Sequence, residues 1–197
     1  MAKVKLWLSK VFYPLAIRWW SLWSKAYRYF FLKRYDEVTL ERDLPYTTVN
    51  EKLKKLRWAK DGYKALGDAC STPQWTQYCL NEVRRGNEQP KGYLDCDDFS
   101  VWACNVTSQQ FFPRMFAFAW QERGKIKGHV MCLVRMKNGK LHHTGNWGLH
   151  GPYFNLRDAC EDIIKLKNAN GAVGWALLGK DLKVIRTGRG LPNNTVM

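Results

Sequence analysis

The sequence predicts an α+β fold, with helices gathered in the first half and an antiparallel sheet in the second. Three observations carry that prediction. Phe99, Trp102, Ala103 and Val106 stand at i, i+3, i+4 and i+7, the spacing of one buried helical face. Asn138-Gly139 separates HVMCLVRM (129–136) from LHHTGNW (141–147), and an Asn-Gly pair between β-rich runs is the strongest short hairpin signal. NLRDACEDIIKLKNANG (155–171) then returns to a helical pattern before the β-rich GWALLG and KVIRTG.

In chain order, residues 1–35 come first and stand apart. They hold eight Lys or Arg and eleven aromatic residues without one acid, and Asp36 is the first carboxylate. This stretch is expected to be a basic aromatic helical appendage, 36–67 a helical linker, and 68–197 the main domain. Pro14 suits the first turn of a helix. After it Leu15, Trp19, Leu22, Trp23, Ala26 and Phe30 make a broad apolar face, with Arg18, Ser21, Lys25 and Arg28 as a narrower polar stripe opposite. The longest uncharged run there, VFYPLAI (11–17), falls far short of the about 20 apolar residues of a membrane span. Lys10 breaks any signal-peptide core, and no small-residue cleavage site follows. A cytoplasmic protein, or one held peripherally at a membrane surface, is therefore expected. A cationic Trp-rich helix suits an anionic headgroup layer. Packing on its own domain or on a protein partner is the other reading. The whole chain carries 32 Lys+Arg against 17 Asp+Glu, a formal charge of +15, which favours anionic partners in general. Nucleic acid is the least favoured of them, because the apolar helical face fits lipid or protein better than stacked bases.

Further helices are expected over 50–66, with Asn50 as N-cap, and over 71–86. In the second, Thr72 caps, Pro73 opens and Gly86 closes. The helix from Cys96 ends before Pro113, MFAFAW (115–120) alternates as a strand, and QERGKIKG (121–128) reads as a loop. Asn155 caps the late helix. The six cysteines, at 70, 79, 96, 104, 132 and 160, include no C-x-x-C pair. Cys104, Cys132 and Cys160 lie in apolar runs and read as small core residues. Reduced thiols are expected, with a Cys70–Cys79 pair left open.

The hairpin gives a geometric expectation. If Asn138-Gly139 are the two turn residues, Lys137 faces Lys140 and Asn146 falls opposite Met131. Asn146 would then share a face with His129 and be its diagonal neighbour, within reach of a side-chain hydrogen bond. In that register His142 also shares the face but lies too far along the strand to join His129 on one ion, and His143 points the other way. No metal and no cofactor is expected.

Cys96 opens its helix. A thiol there lies in the positive end of the backbone dipole, which favours thiolate, and near N–H groups that can hold an oxyanion. Asp95, Asp97 and Asp98 oppose ionisation if they face the sulfur and help if they cap the helix. Cys96 as nucleophile, His129 as base then acid, and Asn146 as the residue that orients the imidazole form a complete chain of roles.

DCDDFS around Cys96, GHVMCLV around His129 and TGNWG around Asn146, with TPQW (72–75) upstream, resemble the transglutaminase-like, papain-like cysteine peptidases of bacteria and their phages. The resemblance covers about 68–150. Leu94 stands where the family usually has Gly, and Ser100 where it usually has Ala. It implies a nucleophile helix packed on an antiparallel sheet, a Cys96–His129–Asn146 triad, and Gln74 as the nearest upstream amide for an oxyanion hole. The activity implied is peptidase, amidase or transglutaminase chemistry on a protein or peptide, cell-wall peptides included, in a cytoplasmic or virion-associated protein. A non-enzymatic membrane- or partner-binding protein on the same scaffold is the alternative.

Overall fold

The computed structural model describes residues 2–31, 35–59, 69–91 and 94–193. Four helices come first: α1 (Ala2–Phe31), α2 (Tyr46–Leu53), α3 (Pro73–Arg84) and α4 (Cys96–Val106). The strands β1 (Arg114–Glu122), β2 (Lys125–Arg135), β3 (Leu141–Gly145) and β4 (Gly148–Tyr153) follow, then α5 (Leu156–Leu166), β5 (Gly171–Leu178) and β6 (Val184–Arg189). The five helices pack on one six-stranded antiparallel sheet, ordered β4-β3-β2-β1-β5-β6. The fold is α+β.

The sheet is covered on both sides, which explains why β1 is apolar almost throughout. Met115 and Ala117 face a core built with Val49, Leu53, Trp75, Phe99 and Trp102 of α2, α3 and α4. Phe116, Phe118 and Trp120 face a second core closed by Leu156, Cys160 and Ile163 of α5. Local signals set the helix ends. Thr72 precedes Pro73, Gly86 takes a φ of +83° after α3, and Asn155 Oδ1 accepts from Asp158 N at 3.0 Å.

Helix α1 is seated on the sheet by a side that includes Ser21 and Arg28 of the stripe the sequence reads as polar, while Arg18 and Lys25 of that stripe are exposed. Ile17 enters the first core, and Ser21 Oγ donates to the Leu182 carbonyl at 2.6 Å. Ser24 Oγ accepts from Cys70 N at 3.0 Å. Arg28 donates from Nε to the Cys70 carbonyl at 3.1 Å and from Nη2 to its sulfur at 3.0 Å. The helix also begins well before Pro14, which lies inside it. Its close approach depends on Gly174 of β5, where a Cβ would stand 2.5 Å from Tyr13 Cδ1 and 2.9 Å from the Gly188 carbonyl oxygen. Gly174→Ala is therefore expected to cost about 1–3 kcal/mol, because backbone or helix must shift. Urea denaturation checks it; an unchanged midpoint would mean that α1 is not seated on β5.

Several expectations need correction. The helix expected over 50–66 ends at Leu53, its N-cap is Pro45, and Asn50 is buried within it, accepting from Thr144 Oγ1 at 3.2 Å. Burying Leu53 and Leu56 while Ala59 exchanges two backbone hydrogen bonds with Leu94, at 2.9 and 3.0 Å, outweighs continuing the helix through Lys54 and Lys55. Residues 60–66 of that expected helix lie outside the described residues. The loop expected at 121–128 is mostly strand, since Arg123 and Gly124, both at positive φ, form a two-residue turn with Glu122 paired to Lys125. The return strand stops at Gly145 and is followed by β4, which the sequence reading lacked, and α5 ends at Leu166 rather than 171.

The hairpin register differs by one residue. Gly139 N donates to the Met136 carbonyl at 2.9 Å and Met136 N to the Lys140 carbonyl at 2.8 Å, so the loop is Lys137-Asn138-Gly139, with Gly139 at φ +79°. Cys132 thus pairs with Thr144, Leu133 with His143 and Val134 with His142. A slip of one residue exchanges the faces. His143 shares a face with His129, and His142 lies on the other.

Candidate functional site

Helix α4 starts at Cys96 because two acids close its end reciprocally. Asp95 Oδ1 accepts from Asp97 N at 3.2 Å, and Asp98 Oδ2 accepts from Asp95 N at 3.1 Å. Asp98 Oδ1 also takes Ser71 N at 2.7 Å, which ties the segment before α3 to the start of α4. Ser100 Oγ donates to the Cys96 carbonyl at 2.6 Å. Burial, followed by the charge of Asp95, pushes the Asp98 carboxyl up to about 7 against the hydrogen bonds that favour its anion. Burial, followed by a hydrogen bond and charge from Asp95, also lifts the Asp97 carboxyl well above its usual range, and Asp97 Oδ2 is buried with no hydrogen-bond partner.

All six cysteines are thiols; five are buried and Cys96 is half-buried. Burial pushes the thiols of Cys70 and Cys79 up to about 12, so both are inert at neutral pH. Cys96 and Asp97 open on a cleft of about 300 Å³, whose other walls are Gly128, His129 and Val130 of β2 and Tyr13 and Trp20 of α1. The Cys96 sulfur and a carboxyl oxygen of each of Asp95 and Asp97 lie within 4.8 Å of one another. Cys70, Asp97 and Asp98 form a similar group. A cation could bridge such atoms, but Asp95 and Asp98 already hold backbone N–H groups, and Arg28 engages the Cys70 sulfur.

Of the expected triad, the His129–Asn146 hydrogen bond is absent, while Cys96 and His129 line the same cleft. His129 pairs with Phe118, so its ring points to the face covered by α5, while Cys96 lies on the α4 side of the sheet. Both residues border the cleft. The imidazole is 5% exposed and stacks on Trp147, ring centroids 3.5 Å apart and planes 6° from parallel. Lys167 Nζ sits over Trp147 at 4.0 Å. Burial, then the charges of His143 and Lys167, hold the His129 pKa well below its usual value, so the ring is neutral. Asn146 lies in the turn after β3, and its Oδ1 and His129 Nε2 are each buried with no hydrogen-bond partner. The expected bond between them is not made, for two reasons: the register moves by one, and β3 ends before Asn146. Gln74 is half-buried in the first turn of α3 and does not line the cleft.

Beside His129 on the α5 face, His143 stacks on His150 at 4.9 Å and on Tyr153 at 5.7 Å, and Tyr153 donates to Asp162 Oδ2 at 2.7 Å. Two contributors escape the sequence reading: the Trp147 platform and the cleft wall from Tyr13 and Trp20. Trp147 follows Asn146 directly in TGNWG, and Tyr13, Ile17 and Trp20 recur at helical spacing, so the signals were present in the sequence. What these observations define is an α+β protein with one accessible helix-start thiol in a cleft. Scans of the chain against protein-family models, curated proteins and solved structures find no match.

Proposed function

We propose that the chain is a cysteine-dependent acyl-transfer enzyme with Cys96 as its nucleophile, acting on an amide of a protein or peptide. The observation that carries this reading is the fate of the three acids around the thiol. Asp95 and Asp98 turn to backbone N–H groups, and Asp97 is driven towards its neutral form. The helix dipole at Cys96 is thereby left to favour thiolate. In the reaction the sulfur adds to the amide carbonyl, the C–N bond breaks with a proton passing to the leaving amine, and water or a second amine releases the acyl group from the thioester. A protonated Asp97, within 4.8 Å of the sulfur, is placed to give that proton.

The transglutaminase-like resemblance supports the same nucleophile and adds His129 as base and Asn146 as its orienter. The placement of the His129 ring on the α5 face favours a second reading, a binding protein on a peptidase-like scaffold with an unactivated thiol. Limiting iodoacetamide between pH 5 and 8, with mass spectrometry at each cysteine, separates these readings. Five buried thiols make mere selectivity for Cys96 uninformative; the informative quantity is its rate at pH 6 against that of a small-molecule thiol. We expect Cys96 to be the faster by about tenfold or more, and His129→Ala to leave that advantage in place. A fall of about 100-fold in His129→Ala would show instead that the imidazole serves the thiol. A Cys96 no faster than the free thiol rules out the enzyme and leaves the binding scaffold.

A further inference from the structure

We infer that the outer face of α1 is a docking surface for an anionic lipid bilayer, with the helix lying in the headgroup plane. An amphipathic helix on a globular protein ordinarily buries its apolar stripe. Here Ile17, Ser21, Ser24 and Arg28 face the protein, and Phe12, Leu15, Trp19, Leu22 and Phe30 face out. Trp19 is 71% exposed, Leu22 63% and Phe30 73%. The fold itself does not use this stripe, and a contiguous apolar patch of that kind marks an interaction site.

Charge selects the occupant. Arg18 and Lys25 are exposed along one edge of the stripe, and the first 35 residues contain no acid. A protein partner covering an apolar stripe needs no such uniform charge, whereas anionic headgroups attract each cation and tryptophan settles at their depth. A nucleic acid would need cations where this face presents Leu15, Trp19 and Leu22. Among the described residues no helix is long and apolar enough to cross a membrane, so the helix lies on the bilayer. Tyr13 and Trp20 on the inner side of the same helix line the Cys96 cleft, so bilayer and cleft stand on two sides of one helix, about 10 Å across. The inference rests on α1 alone and does not require Cys96 to be a nucleophile.

The test is co-sedimentation of the full chain with vesicles of phosphatidylcholine alone and of phosphatidylcholine mixed with phosphatidylglycerol. Tryptophan emission is read in parallel. The expected result is pelleting and a blue shift with the mixed vesicles only, weakened by added salt. Arg18→Gln with Lys25→Gln should lower affinity by about fivefold for each charge removed. Trp19→Ser with Leu22→Ser should abolish binding while the thermal midpoint stays at the wild-type value. If that apolar pair fails to fold, the charge pair decides alone. Absence of pelleting, equal pelleting with neutral vesicles, or an unchanged affinity in the charge pair overturns the inference. So does a concentration-dependent dimer, or retention on DNA, in a protein that ignores the vesicles.

Discussion

Asp98→Ala is expected to destabilise the protein by about 2–6 kcal/mol. Its two carboxyl oxygens hold the N–H groups of Ser71 and Asp95, both in buried surroundings. Each buried donor left without a partner costs about 1–3 kcal/mol. The loss falls on the segment that presents Cys96, so its alkylation rate should drift towards that of an ordinary exposed thiol. The size of the effect should depend on pH in a definite direction. The folded carboxyl is raised to about 7 from an unfolded value of 3.8, so its contribution is fully present below 3.8 and fades as pH rises through about 7. Urea denaturation should therefore show a larger penalty for Asp98→Ala at pH 5 than at pH 8. Asp98→Asn keeps one acceptor oxygen but turns an amide NH2 towards the other donor, so it should fall between alanine and wild type. An equal penalty at both pH values, or a larger one at pH 8, would mean that the N–H groups outweigh burial and the carboxylate is ionised throughout.

The parts of this protein that were legible in its sequence are those that local chemistry decides. Pro73, Gly86 and Asn155 set helix ends from within a few residues, although Thr72 at the N-cap of α3 makes no side-chain cap bond, and the apolar spacing after Cys96 fixed α4 and the face it buries. What was not legible depends on competition between partners far apart in the chain. Residues after Leu53 carry a helical pattern, yet the bridge from Ala59 to Leu94 takes them out of the helix. In α1, hydrophobicity marked the apolar stripe and left open whether lipid, a partner or the domain itself covers it. The opposite side is seated because Arg28 and Ser24 find Cys70 and Ser21 finds Leu182 across the fold, contacts that no local pattern announces. The candidate site was the most exposed to such error. Asn138-Gly139 announced a hairpin correctly, but whether its loop held two residues or three decided which face His129 shares with which histidine. The three-residue loop, closed by Gly139 N on Met136 and Met136 N on Lys140, together with the end of β3 at Gly145, keeps Asn146 from the position beside His129 that the sequence suggests.

That arrangement makes a second strong prediction. His143 is 2% exposed, and burial, with smaller effects from the charges of His150 and His142, pushes its pKa down to about 3 from 6.5. It stays neutral in the folded protein, while the unfolded chain takes up a proton below 6.5. Its contribution to stability is therefore intact above 6.5 and is lost as pH falls towards 3, at about 1.4 kcal/mol for each pH unit. His143→Phe keeps a flat ring between His150 and Tyr153, and Tyr153 retains its bond to Asp162. At pH 7.5 the variant should lie within about 1.5 kcal/mol of wild type. By pH 4.5 it should have gained about 2–3 kcal/mol relative to wild type. Only the difference between the two denaturation curves is informative. His129 loses stability in the same direction as pH falls, while Asp97 and Asp98, raised rather than lowered, act in the opposite direction over an overlapping range. All three are present in both proteins and largely cancel. Curves that stay parallel from pH 7.5 to 4.5 would mean that His143 takes its proton while folded. His129 would then face a cation in mild acid, and the neutral imidazole stacked on Trp147 would lose its physical basis.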